Sequence, residues 1–427
     1  MNFGIKPEDF TENLILEIFG TALEILNPTK VVHDALIRDF GNSKVPDRVA
    51  ILAFGKASIG MIKGALGFFS GSQVKAAAVV PKSAGVQPEL YGVRVFSGTH
   101  PIPTEESVSA AKNAIDYCFN NFEPEMALVL ISGGGSSLFE IPEDWTSIEE
   151  INRISKCLMD NGANIHELNS IRRLMSKVKG GKLNDLIKVR KKVGYIISDV
   201  PGDNLDFIAS GPLTPPSQDH SREVIQKFIH VCPDLSKVES HLLPRQIKGM
   251  AQAADAKIVL KNGDFVACIY NQMADRGFET VSLGSSLTGD VENFSEFIVS
   301  FTRGIFAKKG IPFFFVGGGE TTSEVKGNGK GGRNCELAIR VMRKFSLDEN
   351  FVFASLGTDG VDGNSPAMGG MVSANSKRSV PEALIDQYLQ NSDSYSLLKK
   401  FGLAIETGPT GNNVSDIFIG YYGGKNQ

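Results

Sequence analysis

Residues 126–131 read Met-Ala-Leu-Val-Leu-Ile, and residues 132–137 read Ser-Gly-Gly-Gly-Ser-Ser. An unbroken apolar run of strand length, with no polar alternation, is the signature of a strand buried on both faces, and such strands belong to parallel sheets covered by helices. Three consecutive glycines at its carboxyl end carry an entropic cost that a plain turn does not require. They let several backbone N–H groups, with the hydroxyls of Ser136 and Ser137, converge on a phosphate or carboxylate at the start of the next helix.

Outward from this stretch, the same pattern of an apolar strand stopped by glycine and small polar residues recurs at 52–56, 197–203, 315–322 and 355–363. Further short apolar runs at 48–54, 74–80 and 193–197 alternate with helical patterns, which predicts a parallel α/β sheet. Between 233 and 254 the chain turns polar and basic without a strand pattern, which sets a boundary near residue 250. The expectation is an α/β protein of two domains. Residues 1–250 form a larger Rossmann-like, three-layer domain with a mostly parallel sheet, and residues 251–427 form a smaller C-terminal α/β domain. The second opens with a strand at 258–261, a helix at 265–276 and a strand at 278–283, and continues with strands at 312–316, 351–355 and 417–421. Ligands of open α/β sheets bind outside the carboxyl ends of strands, so the active site is expected in the cleft between the domains.

Composition narrows the partners. The 427 residues are 42% hydrophobic and 22% charged, and 44 basic against 48 acidic residues leave a net charge of -4, without the basic footprint of a nucleic-acid binder. The longest apolar runs fall well short of a membrane span, and the acidic N-terminal segment does not read as a signal peptide. The five cysteines are far apart and odd in number, which reads as reduced thiols of a cytoplasmic protein, with neither a disulfide framework nor a zinc site. A small charged metabolite is the expected partner, with no nucleic acid and no membrane; self-association is left open.

Candidate chemistry gathers at the strand ends. Lys56 follows Gly55 at a strand-to-helix junction, where its ammonium would face an anion held at the helix N-terminus. Gly317, Gly318, Gly319, Glu320, Thr321 and Thr322 repeat the glycine device in the second domain. Over 165–179, Asn169, Arg172, Arg173, Ser176 and Lys179 gather on one helical face, a set suited to a carboxylate, and Gly180 and Gly181 stop the helix. Asp199 and Asp203, and Asp359 and Asp362, are paired carboxylates on strand-end loops, suited to magnesium held together with substrate phosphates or to accepting a hydroxyl proton. Residues 327–332 match G-x-G-x-x-G but follow a polar stretch instead of a buried strand, so they read as a flexible loop delivering Lys330 and Arg333 to a ligand, not as a dinucleotide fingerprint. His100, between Thr99 and Pro101, reads as a loop residue.

Taken together, these stretches resemble the type II glycerate kinase family, with its glycerate-kinase N-terminal region and its MOFRL C-terminal region. The resemblance runs through 54–57, 130–138, 169–181, 198–203 with 208–212, 317–322, 331–337, 357–363 and 407–416. It implies ATP-dependent phosphorylation of D-glycerate with Mg2+, leaning to the C2 hydroxyl. On that reading Lys56 and Arg333 bracket the transferring phosphoryl group, and Asp199 or Asp203 binds magnesium or takes the hydroxyl proton. Ser132, Gly134, Gly135, Ser136, Ser137, Asn169, Arg172 and Lys179 hold glycerate, while Gly317 to Thr322, Asn334 and Asp359 face the nucleotide. Leu174 stands where the family usually has histidine, 364–369 departs from the usual pattern, and Asn412 replaces a common threonine. The rival readings are an NAD(P)H-dependent hydroxypyruvate reductase and a non-catalytic metabolite-binding protein.

Overall fold

The computed structural model describes residues 3–5, 7–82, 92–216, 219–242 and 254–425. Strand β1 (Arg48–Phe54) is buried from its second residue onward, and β4 (Met126–Ile131) along its whole length. A strand hidden on both faces needs helices on both, and parallel strands joined by crossover helices supply them. The first sheet runs β3 (Val93–Gly98), β2 (Gln73–Pro81), β1, β4, β5 (Lys191–Ile197) and β6 (Asp255–Leu260). β1 to β5 are mutually parallel in it. Residues spaced by two, such as Leu52 with Phe54 and Val129 with Ile131, join Ala111 and Cys118 of the helix Glu105–Phe119 in one core. The intervening Ile51, Ala53, Leu128 and Leu130 are equally buried, and the helix Ser58–Phe68 packs on β1 and β2.

A helical core adjoins this sheet, built from the helices Ile148–Asp160, Ile165–Met175, Ser221–Phe228 and Leu235–Leu242. It overturns the reading of the cysteines. Cys157 and Cys232 form a disulfide across 75 residues of sequence, with their Cα atoms 5.9 Å apart. Helix packing makes this pair, and no spacing rule in the sequence announces it; Cys118, Cys268 and Cys335 are free thiols.

The second sheet runs β11 (Ala404–Ile405), β10 (Gly369–Ser373), β9 (Glu349–Gly357), β12 (Asp416–Lys425), β8 (Phe313–Thr322) and β7 (Thr280–Asp290). It is mixed: β12 lies antiparallel between β8 and β9, while β7 and β8 are parallel. Phe294, Phe313, Phe315, Phe353, Phe418 and Met342 fill the core between one of its faces and the helices Val291–Lys309 and Arg333–Lys344.

The chain divides into two compact units, Pro28–Val259 and Met1–Asn27 with Leu260–Gln427. The expected boundary near 250 falls outside the described residues, and the single cut expected there differs from this division in two ways. The strand expected to open the second domain is β6, which joins the first sheet. The N-terminal helix Phe10–Ile25 belongs with the second sheet, packing on the helix Asn262–Ala274 and on β9 and β12. Its buried stripe of Leu14, Ile15, Ile18, Phe19 and Ala22 announces burial but not which sheet it covers. Among the described residues no helix is long and apolar enough to cross a membrane.

Candidate active site

In the unit Pro28–Val259, the carboxyl ends of β1, β4 and β5 carry the expected residues. The chain leaves β1 through Gly55 at φ 120°, and a Cβ there would run into the Ser132 side chain and carbonyl. Two bonds then stitch the β1 and β4 ends together: the Lys56 amide donates to the Gly133 carbonyl at 3.0 Å, and the Ala57 amide to Ser132 Oγ at 3.0 Å. Lys56 therefore sits against the glycine turn by its backbone, and Ser132 is a buried link between strands. Beyond it Gly134 turns left-handed at φ 80°, and one helical turn, Gly135–Leu138, follows. The amides of Gly135, Ser137 and Leu138 bond back to the carbonyls of Ser132 and Gly134, whereas those of Gly133, Gly134 and Ser136 have no partner among the described residues. Three open donors in one turn form the concavity that anions occupy. The exposed His100 lies beside it: a Cβ on Gly134 would come 3.0 Å from His100 Cδ2.

Lys179 supports this turn from within. It pairs with Glu140, both side chains being about fully buried at 2% and 1% exposure, and donates to the Ser136 carbonyl at 2.8 Å. Glu140 also accepts from the Ile141 amide at 3.0 Å and from the Ser176 hydroxyl. Burial pulls the lysine pKa down against the pull of Glu140. The expectation that Lys179 shares a helical face with Asn169 does not hold. The helix ends at Met175, Ser176 is extended and bridges Pro142, and the left-handed Gly180 and Gly181 come later.

Asn169 and Arg172 do lie on that helix, which opens with an Asn164–Glu167 capping box. Arg172 donates from Nε to Ser155 Oγ at 3.1 Å, which fixes the guanidinium plane while its terminal nitrogens have no partner among the described residues; burial depresses its pKa. Arg173 instead donates to the Asp206 carbonyl at 2.6 Å and lies over the Phe207 ring, tying the helix to the loop after β5. That loop holds Asp199 and the left-handed Asp203, both half-buried, and then the left-handed Ala209 and Ser210. Ser210, to which the sequence reading gave no role, is bonded to both Ser136 and Asn169. Among the described residues no group of three or more His, Cys, Asp or Glu could hold a metal. Two carboxylates on a strand-end loop suit magnesium arriving with nucleotide phosphates, which needs only one or two of them, and do not make an all-protein cage.

In the other unit the glycines 317–319 turn out to lie inside β8, paired with β12 on one side and β7 on the other. This corrects the reading of a strand that stops at them. A Cβ on Gly317 would strike Leu283 and Leu287, one on Gly318 the Asn262 side chain, and one on Gly319 the Leu287 backbone. They are small so that β7 and Asn262 can approach, not to bare a row of amides. Asp362 is corrected as well. Its carboxylate accepts from the amides of Asn334 and Cys335 at 3.1 and 2.8 Å, capping the helix Arg333–Lys344. The Asn334 side chain is engaged within this cluster, donating to Asp416 and Asp362 and accepting from Ser355 at 2.6 Å. Arg333 pairs with Asp416 at two points and with Glu320 at 2.6 Å. Asp359 accepts from the Val361 amide at 3.1 Å within its own turn.

The loop 327–332 is fastened down instead of flexible. The amides of Asn328 and Gly329 donate to Asn391, that of Lys330 to Asp393 and that of Gly331 to Asn364. A Cβ at Gly327, Gly329, Gly331 or Gly332 would collide with Asn391, Asp393, Ser394 or Asp362 respectively. Those amides are engaged within the protein, which removes the donors a dinucleotide pyrophosphate would need.

Two family models match successive stretches of the chain, the first beginning within the helix Phe10–Ile25 that packs with the second sheet. Residues 14–242 match the model described as a domain of unknown function (DUF4147), and residues 313–416 match the MOFRL family. The fold and site thus define the class of two-unit α/β proteins that join these regions in one chain. A glycerate 2-kinase of Picrophilus torridus is 40% identical over 97% of this chain and 97% of its own length. A glycerate 2-kinase of Pyrococcus horikoshii is 34% identical over 92% of each. The crystal structure of glycerate kinase from Thermotoga maritima superposes with a TM-score of 0.83 at 32% identity, covering 96% of this chain and 99% of that one. The chain belongs to the glycerate kinase family.

Proposed function

We propose that this protein transfers the γ-phosphoryl group of ATP to the C2 hydroxyl of D-glycerate, giving 2-phosphoglycerate and ADP. The observation that carries the reading is the cluster of open donors beside one glycine turn: the amides of Gly133, Gly134 and Ser136, with Asn169 and the fork of Arg172 on the neighbouring helix. In a chain of this family, that is a seat for a small hydroxy acid. Ser132 and Lys179 contribute by holding the turn's shape and Gly135 by starting its helix, while Ser137 rims it.

Phosphoryl transfer asks the protein mainly to position reactants and neutralise charge on the moving group. Lys56 and Arg333 supply that charge, and Asp199 accepts the proton leaving the glycerate hydroxyl. Magnesium, where bound, neutralises the nucleotide phosphates, and Asp199 and Asp203 are the residues that would hold it. Glu320, Thr321, Thr322 and Asp359 remain our proposed nucleotide contacts. Both substrates are metabolites, and the compartment we propose is the cytoplasm.

The test is an assay with D-glycerate and Mg-ATP that follows ADP, with enolase added to consume 2-phosphoglycerate but not 3-phosphoglycerate, and a parallel arm with hydroxypyruvate and NADH. ADP formation coupled to enolase turnover is expected, with no NADH loss. Lys56→Ala and Arg333→Ala should each lower kcat by orders of magnitude, since preorganised charge acts on the transition state. Near-parental turnover in both folded variants would remove these roles.

A further inference from the structure

We infer that Ser210 is a positioning residue that sets the direction of hydrogen bonding at the proposed glycerate seat, holding Ser136 as an acceptor and Asn169 as a donor. The inference rests on the reading of that seat given above. Ser210 Oγ donates to Asn169 Oδ1 at 3.1 Å and lies 2.9 Å from Ser136 Oγ. A hydroxyl carries one proton. With that of Ser210 given to Asn169, the bond between the two serines must run from Ser136 to Ser210. The Ser136 hydroxyl has then turned its proton inward and meets a ligand with lone pairs only. Asn169, its carbonyl held by Ser210, turns its amide nitrogen the other way, and those two N–H donors have no partner among the described residues.

A 2-hydroxy acid offers the complement: a carboxylate to accept from Asn169 and a hydroxyl to donate to Ser136. A 2-keto acid lacks the donor at C2 and would set a carbonyl oxygen against the lone pairs of Ser136. The chain of bonds therefore selects the hydroxy acid over its keto counterpart.

The backbone supports a dedicated role. Ser210 is 1% exposed and left-handed at φ 63°, directly after Ala209 at φ 50°. Non-glycine residues adopt that conformation at a cost and keep it where the surroundings impose it. Here the Gly180 amide donates to the Ser210 carbonyl at 3.1 Å. Glycine would take the same backbone without strain, so the serine side chain stands where backbone preference argues against it.

Ser210→Ala removes the hydroxyl and leaves the strain; Ser210→Gly removes both, so loss of fold cannot mimic the effect. Steady-state kinetics with each substrate varied, and thermal melts, are measured for both. We expect KM for D-glycerate to rise at least tenfold in both variants, KM for ATP to stay within twofold, and Ser210→Gly to melt no lower than the parent. A glycerate KM within twofold of the parent in either variant overturns the inference, as does a parallel rise of both KM values. A parent that forms no ADP from D-glycerate overturns the substrate reading first, and this inference with it.

Discussion

Asp416 holds Arg333 at two points, accepting from Nε at 2.6 Å and from a terminal nitrogen at 3.2 Å. Its Oδ1 also accepts from Asn334 at 2.9 Å, so a carboxylate only 1% exposed is bonded on both oxygens. A two-point grip of this kind fixes the guanidinium plane as well as its position.

Burial pushes the Asp416 carboxyl up to about 6, against the pull of Arg333 and Asn334 and with that of the nearby Asp362. Acidifying through pH 6 should therefore protonate Asp416, loosen its two-point grip on Arg333 so that Glu320 alone holds the guanidinium, and lower kcat about tenfold per pH unit. The sign for stability is opposite: a carboxyl whose folded pKa is raised binds its proton more readily when folded, so this group adds stability as pH falls. Activity should fade near pH 6 while the circular dichroism melt does not. Asp416→Asn should lose this acid limb and turn over about 10- to 100-fold more slowly. A variant that keeps the limb would show that another group titrates there.

Lys179 illustrates a cation that belongs to the structure. Removing one member of a buried pair leaves the other charge unpaired and costs roughly 3–5 kcal/mol, while replacing both with apolar groups can be neutral. Lys179→Met should therefore lower the urea midpoint severely, and Lys179→Met with Glu140→Leu should recover much of it. If the single variant stays as stable as the parent but loses glycerate affinity, the lysine is a substrate contact after all.

These two cases show where the sequence was readable. Strand-end glycines, the capping box at Asn164, and the buried runs of β1 and β4 follow from local patterning, and they put Lys56, the 132–137 turn, Asn169 and Arg172 in the same unit. Glycine has two distinct uses, however, open amides and a missing Cβ. Only the neighbours tell them apart: 133–134 serve the first, 317–319 the second. Ser210 was invisible because serine has no left-handed signature. Lys179 and Asp416 were misread or passed over because a buried lysine is rare and an aspartate's partner 83 residues away leaves no mark in local sequence.

The disulfide closes a loop with a sequence separation of 75. Chain-entropy reasoning assigns such a loop up to about 4 kcal/mol of stabilisation. Cys157→Ser with Cys232→Ser should lower the melting temperature, and reductant should do the same to the parent but not to the variant. Disulfides are unusual in reducing compartments. Five titratable thiols in protein purified under thiol-blocking conditions would speak against the bond in vivo, and three would set it against a reducing cytoplasm.

Glu349 predicts the behaviour in acid. It is fully buried and accepts from Arg303 at 2.8 and 2.7 Å, from the Ser346 amide at 2.6 Å and from the Tyr422 hydroxyl at 2.6 Å. Burial alone would raise its pKa, but these four donors outweigh burial and hold the carboxyl at about 2, below its ordinary 4.5. A carboxyl depressed on folding stabilises fully above its unfolded pKa and loses that contribution as pH falls from about 4.5 through about 2, a change of roughly 3 kcal/mol. Glu349→Gln should be less stable at pH 7 by a similar amount, and the gap should close progressively between those two pH values, because the protonated parent then resembles the amide. Arg303 is 44% exposed and can turn to water in the variant, so the change should leave a folded protein whose urea midpoints can be followed across the range. Midpoint curves for parent and variant that stay parallel down to pH 2 would mean that Glu349 is not the carboxylate whose protonation weakens this unit in acid.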